Sequence, residues 1–350
     1  MESRFLDRLR VSIKSLSPGY YALVMGTGIV SIGMKLAGFD LVSWFLMWLC
    51  ALSYIVVTTL NVWRWRAERQ SFQEDFADPR RAFSFFTFVA GTNVLGVRLS
   101  LNGWYDLTAV LLVIAFIGWV ILGYIIPWVA FHQPVRDLLA TANGTWFIWV
   151  VGCQSVALAS ASLEPASSGA GQRVLALLSV IGWSVGLFLY GAVGIIVMLR
   201  VIMYELRPID LGPPYWVAMG ACAIAAVAGG RITQMTDVPM ADVIRELATG
   251  LAVLMWAFAT WLIPALLALG WWRHIQHRVP LVYEAAWWSM VFPLGMYAVA
   301  GLYLGRVDKL PIVRWIGSVE LWVAFTVLVI TLAMMTLHSV QTVVRRTPSG

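Results

Sequence analysis

Charge is the scarcest commodity in this chain. Only 12% of its 350 residues are Asp, Glu, Lys or Arg, against 60% hydrophobic residues; soluble domains carry about 25% charge. That shortage excludes an ordinary water-soluble domain. Cysteine is almost absent as well. Cys50, Cys153 and Cys222 all fall inside apolar runs, so they read as small buried hydrophobes, and no disulfide framework is available. The four histidines, His132, His274, His277 and His338, lie near the ends of apolar runs. His274 and His277 share a helical spacing, but no carboxylate or cysteine completes a metal site. No deep histidine pair is placed to hold haem, no phosphate loop is present and no Ser/His/Asp set is visible. The sequence therefore offers no catalytic residue, no metal ligand set and no cofactor site. No small-residue cleavage site follows the basic N-terminal stretch, so it does not read as a removable signal peptide. No linker or low-complexity segment divides the chain, which reads as one transmembrane domain over 1–350.

What is abundant is apolar length. A mean hydropathy of +0.80 is distributed over ten runs, about 18–38, 41–65, 82–100, 104–130, 143–163, 172–202, 213–232, 246–271, 285–305 and 312–338. About 20 residues of helix cross the hydrocarbon core. None of these runs alternates with a period of two, so they predict helices and not barrel strands. The fold class is an all-α polytopic membrane protein with ten transmembrane helices.

Basic residues set the expected orientation. With ten spans both termini share one side, and that side holds 16 of the 24 basic residues but 10 of the 18 acidic ones. Arg4, Arg8, Arg10, Arg64, Arg66, Arg80, Arg81, Arg136, Arg345 and Arg346 are among them. Positive charge gathers in short cytoplasmic loops, so both termini are expected inside, at a bacterial inner (plasma) membrane. The net charge of +6 is then a topogenic signal, with no need of a nucleic-acid partner.

The spans also repeat. An aromatic pair precedes a small residue or proline by five positions in every odd span: Tyr20-Tyr21 before Gly26, Phe85-Phe86 before Gly91, Trp146-Phe147 before Gly152, Tyr215-Trp216 before Ala221 (beside Gly220), and Trp287-Trp288 before Pro293. The end points lie 65, 61, 69 and 72 residues apart, which is one helical hairpin per repeat. Taken singly, each glycine is more often a packing device. Five matched interruptions, at Gly26, Gly91, Gly152, Gly220 and Pro293, predict an inner ring of bent helices around an axis, with bulkier even helices facing lipid. Along that axis the odd spans offer polar groups without carboxylates: Thr27, Thr92, Asn93, Gln154 and Ser289. Four odd spans end near a base, Lys35, Arg98, Arg231 or Arg306. Each alone reads as a snorkelling residue; together they predict an electropositive mouth, the arrangement that suits anions.

At these residues the chain resembles a known family. Ser17 to Ser31 (SPGYYALVMGTGIVS) is similar to the first-helix signature of the tellurite-resistance/dicarboxylate transporter family, which includes the plant slow-type anion channels. Gly212 to Ala221 (GPPYWVAMGA) and Trp288 to Tyr297 (WSMVFPLGMY) resemble its seventh- and ninth-helix motifs, and Asn143 to Trp146 and Trp256 to Pro264 match in register. The similarity is greatest to bacterial members labelled tellurite-resistance or four-carbon dicarboxylate transporters. The resemblance implies five hairpins in quasi-fivefold arrangement around a central pore, a homotrimer with one pore per subunit, and an aromatic ring that gates the pore, here Phe292. Prolines that bend inner helices elsewhere in the family are mostly glycines here. The expected function is passage of small inorganic or carboxylate anions by a channel. The alternatives are a proton-linked carrier for four-carbon dicarboxylate or sulfite, and a membrane-embedded enzyme or sensor without transport.

Overall fold

The computed structural model describes residues 13–14, 16–132, 134–307 and 309–341. Arg4, Arg8, Arg10, Arg345 and Arg346, which contribute to the expected orientation, lie outside the described residues. The ten long helices are α1 (Tyr21–Ala37), α2 (Asp40–Ala67), α3 (Phe86–Ser100), α4 (Tyr105–Phe131), α5 (Phe147–Leu163), α6 (Gly169–Met203), α7 (Val217–Ile232), α8 (Pro239–Trp271), α9 (Trp288–Val307) and α10 (Pro311–Ser339). All ten are long and apolar enough to cross a membrane, and no strand occurs among the described residues. One helix begins well before its expected span. The helix that carries the eighth span starts at Pro239, ahead of residue 246, because proline suits the first helical turn and Asp242 favours a helix N-terminus.

Burial separates the helices into two classes. In the odd spans 78–94% of the apolar window is buried, in the even spans 17–28%. Small residues in the odd helices permit that burial by letting backbones approach. Each odd helix packs along the even helix that follows it, which gives five hairpins. The odd helices also pack on one another in the order α1, α3, α5, α7, α9 and back to α1, so they form a closed ring.

The repeated aromatic pair has a structural counterpart. A short 3₁₀ turn precedes each odd helix, at Pro18–Tyr20, Phe83–Phe85, Gly144–Trp146, Pro213–Trp216 and Ala285–Trp287. In four repeats the pair straddles the junction of turn and helix, and in the fourth, Tyr215-Trp216, it ends the turn. Ser17 Oγ accepts the Gly19 N–H and Asn143 Oδ1 accepts the Thr145 N–H, each satisfying a free donor at a helix start. The five turns touch in the same cyclic order as the helices, making a collar at one end of the ring. Gly144 is required there: a Cβ on it would lie 2.3 Å from the Pro214 carbonyl carbon of the neighbouring turn.

The segment after α2 is fastened by a buried charge pair. Arg64 and Asp75 are 1% and 3% exposed and lie 2.6 Å apart; Arg64 also donates to the Lys14 and Ser71 carbonyls, and Arg81 reaches the other Asp75 oxygen. Removing one partner of such a pair strands a buried charge, at a cost of about 3–5 kcal/mol. Asp75→Ala should therefore lower the melting temperature of the purified protein sharply, and unchanged thermal unfolding would refute a structural role for the pair.

Candidate functional site

The ring encloses an axial cavity toward the end opposite the collar. Its wall takes Ile29, Ile32 and Leu36 from the first hairpin, Val97 and Leu101 from the second, Leu158 from the third, Val227 and Arg231 from the fourth, and Met296, Val299 and Tyr303 from the fifth. All five repeats thus contribute, and Arg231 is the charged residue of that lining. The space available to water centres is about 20 Å³, room for roughly one water molecule. Arg231 sits 5.1 Å from the centre of the Tyr303 ring.

Phe292 can be oriented from three contacts of α9 and from its cavity-lining face. A Cβ on Gly26 of α1 would meet Val291, and one on Gly220 of α7 would meet Pro293. Val291 and Pro293 therefore face the two ring neighbours of α9. Gly301, nine residues beyond Phe292, abuts Gly317 of the outer helix α10. Nine residues turn a helix through about 900°, so the two side chains point in opposite directions. Met296, Val299 and Tyr303 line the cavity and follow Phe292 at spacings of four, three and four, one helix face. Phe292, only 1% exposed, hence projects toward the axis at the collar-side end of the cavity. Ser289, also buried, stands one turn earlier on the same face.

The interrupting residues act as close contacts. All five odd helices run continuously through Gly26, Gly91, Gly152, Gly220 and Pro293. A Cβ on Gly26, Gly91, Gly152 or Gly220 would lie 2.9–3.2 Å from the adjoining odd helix, against Val291, the Tyr21 carbonyl, Phe86 and Pro293 respectively.

Two of the polar positions, Gln154 and Thr92, bond toward outer helices. Gln154 Nε2 donates to the Trp183 carbonyl on α6, and the Thr92 hydroxyl donates to the Phe88 carbonyl and to Tyr54 on α2. Both groups face outer helices, because a buried amide or hydroxyl must find an acceptor and the apolar axis has none. Thr27 donates to the Leu23 carbonyl within its own helix. Asn93 donates to Ser155 Oγ across the α3–α5 contact. The Oδ1 of Asn93 and the Oε1 of Gln154 have no partner among the described residues.

The four bases also divide. Lys35 is paired with Asp40 at 2.7 Å. Arg306 is exposed, donates to the Leu36 carbonyl, and lines an open basic hollow with Lys309 and Arg314. Arg231 alone of the four lines the axial cavity. Arg98 is fully buried among α1, α2 and α3, with Ser31, Ser43 and Asn102 as its hydrogen-bond acceptors, and it is not part of the cavity lining. At the collar end a second hollow of about 220 Å³ includes Thr145, Asp210, Tyr215, Arg273 and Glu284. The Arg207 guanidinium, hydrogen-bonded to Asp210, holds that carboxyl below the usual carboxylate range, so this end mixes both signs of charge.

Glu320 lies in α10 and is partly buried, and it is not among the residues singled out from the sequence. Its position inside an apolar run was the available signal. Glu320 lies within electrostatic reach of Tyr297, whose hydroxyl is 2.7 Å from that of Thr260 on α8.

Comparison with known proteins agrees with this architecture. The family model described as SLAC1, voltage-dependent anion channel, matches residues 15–337. An uncharacterized transporter of Methanocaldococcus jannaschii is 26% identical over 93% of both chains. A sulfite efflux pump of Arthroderma benhamiae is 21% identical, covering 88% of this chain and 86% of the pump. An uncharacterized membrane protein of Mycobacterium tuberculosis is 54% identical over 159 residues, 45% of this chain and 81% of that protein.

Proposed function

Because the chain belongs to the SLAC1 family of voltage-dependent anion channels, a family of multi-pass membrane transport proteins and not of enzymes, we propose that it passes small inorganic or carboxylate anions along the axis of its odd-helix ring. In this reading the ring is quasi-fivefold, Phe292 occludes the path, and the subunit works in a homotrimer surrounded by lipid. Both termini and the collar face the cytoplasm of a bacterial cell, and the protein sits in the inner membrane. The observation that carries the proposal is the axial cavity, to which all five repeats contribute and in which Arg231 is the charged group. A lining without fixed negative charge and with few strong binding groups favours passage over retention, since conduction requires that the ion also leave.

The test is purified protein in planar bilayers and vesicles, with chloride, nitrate, malate and sulfite offered in turn. Sulfite belongs in the panel because a full-length relative is named for its efflux. Unitary anion currents are expected. Absence of both currents and uptake for every anion would refute the reading.

A second reading, a proton-linked carrier, is favoured by Glu320. A carboxylate within a span is costly unless used. If protons are coupled there, Glu320→Gln should abolish the pH dependence of uptake while leaving passive anion flux in place. Identical pH profiles for the two proteins would dismiss the carrier.

A further inference from the structure

Arg98 is held in an unusual way for a charge inside a membrane protein. It is 0% exposed, and a buried charge is ordinarily paired with an opposite one. Here every hydrogen bond of the guanidinium goes to a neutral group. Nε donates to Ser31 Oγ at 2.7 Å, Nη2 to Ser43 Oγ at 2.9 Å and Nη1 to Asn102 Oδ1 at 3.2 Å. The two hydroxyls pass the polarisation on: Ser31 Oγ donates to the Ser43 carbonyl and Ser43 Oγ to the Ser31 carbonyl, both at 2.7 Å. The Trp44 ring lies 6.0 Å from the guanidinium carbon. Asp40, the carboxylate with an electrostatic effect on Arg98, is itself bound to Lys35 at 2.7 Å. Among the described residues the guanidinium is therefore solvated by dipoles, with no carboxylate hydrogen-bonded to it.

Its place along α3 gives that charge a use. Val97, the preceding residue, and Leu101, three residues on, both line the axial cavity. Arg98 thus projects to one side of that cavity-lining face, into the seam with α1 and α2. We propose that Arg98 is a fixed internal charge that attracts anions into the apolar axial cavity through its wall, without touching them, and so sets the preference for anions over cations. The inference rests on the proposed anion path. A full positive charge about one helix diameter, roughly 10 Å, from the axis alters occupancy by a monovalent ion about tenfold at an effective dielectric of about 20. Salt screens exposed charges and hardly reaches buried ones, so this preference survives at high ionic strength. The contribution of the partly exposed Arg231 fades with added salt.

Reversal potentials of the reconstituted protein under a potassium chloride gradient, at about 0.05 M and about 1 M mean salt, test this. Arg98→Gln is expected to lower the chloride-to-potassium permeability ratio about a hundredfold at both salt levels, about tenfold for each ion in opposite senses, and Arg98→Lys to keep it. Ser43→Asp, which supplies a counter-ion while preserving a hydrogen bond to Arg98, is expected to lower the ratio as Arg98→Gln does, and it reports even where Arg98→Gln does not fold. Arg231→Gln is expected to lower the ratio mainly at low salt. An unchanged ratio in folded Arg98→Gln or Ser43→Asp protein overturns the inference, as does a loss in Arg98→Lys equal to that in Arg98→Gln, which would mark a purely structural role. If the unmodified protein shows no anion preference, the proposed function itself falls, an outcome distinct from the others.

Discussion

Phe292→Ala should raise anion conductance at least about tenfold, equivalent to removing about 1.4 kcal/mol from the barrier to passage. The side chain is 1% exposed, projects to the axis opposite the α10-facing Gly301, and begins the face that Met296, Val299 and Tyr303 continue along the cavity. The axial cavity beyond it has room for about one water molecule, and on the proposed path a hydrophobic constriction would block ions by excluding their hydration. Deleting the ring opens the collar-side end of the constriction. Phe292→Leu should give a smaller rise, because much of the plug remains. Truncating a packed aromatic costs about 3–5 kcal/mol, so the melting temperature should fall while the protein stays folded and assembled. An unchanged conductance in well-folded Phe292→Ala protein would show that Phe292 is packing and that any gate lies elsewhere.

The second large effect concerns the hairpin that carries this ring. A Cβ on Gly317 of α10 would lie 2.6 Å from the Leu302 nitrogen and 2.8 Å from the Ala298 oxygen of α9. These are backbone atoms, which cannot swing aside as a side chain can. Gly317→Ala should therefore force α9 and α10 apart and cost about 3 kcal/mol, the upper end for overpacking, with loss of transport activity as α9 shifts. Gly250→Ala in α8 is the matched control. Nothing lies within 4 Å of that Cβ, and alanine is the better helix former by about 1 kcal/mol, so its melting temperature should hold or rise. Equal behaviour of the two variants in thermal unfolding would show that the Gly317 crossing is looser than its geometry indicates.

The ten spans and their pairing were legible because the membrane imposes length and repeats impose period. The aromatic pairs marked five equivalent points, and these are the joins of the 3₁₀ turns to the odd helices. Azimuth was far less legible. Gln154 and Thr92 look like pore groups in a one-dimensional list, but their partners, the Trp183 carbonyl and Tyr54, come from helices 29 and 38 residues away in sequence. A sequence records which span a residue occupies and leaves open which way it turns. Arg98 shows the same limit. Ser31 and Ser43 belong to different helices and become a cradle for a guanidinium only when α1, α2 and α3 are assembled. The glycines expected as bends make close contacts between neighbouring odd helices, the commoner role for small residues in membrane interiors. Glu320 is visible in the sequence as a carboxylate inside an apolar run, but it lies in an even span, outside the odd spans from which the polar groups were drawn.

The central claim is that the axis of the odd-helix ring carries anions. The most direct measurement is the reversal potential of the unmodified purified protein in a planar bilayer under a potassium chloride gradient. A value close to the chloride equilibrium potential is the predicted result, and equal permeability to potassium and chloride would contradict it.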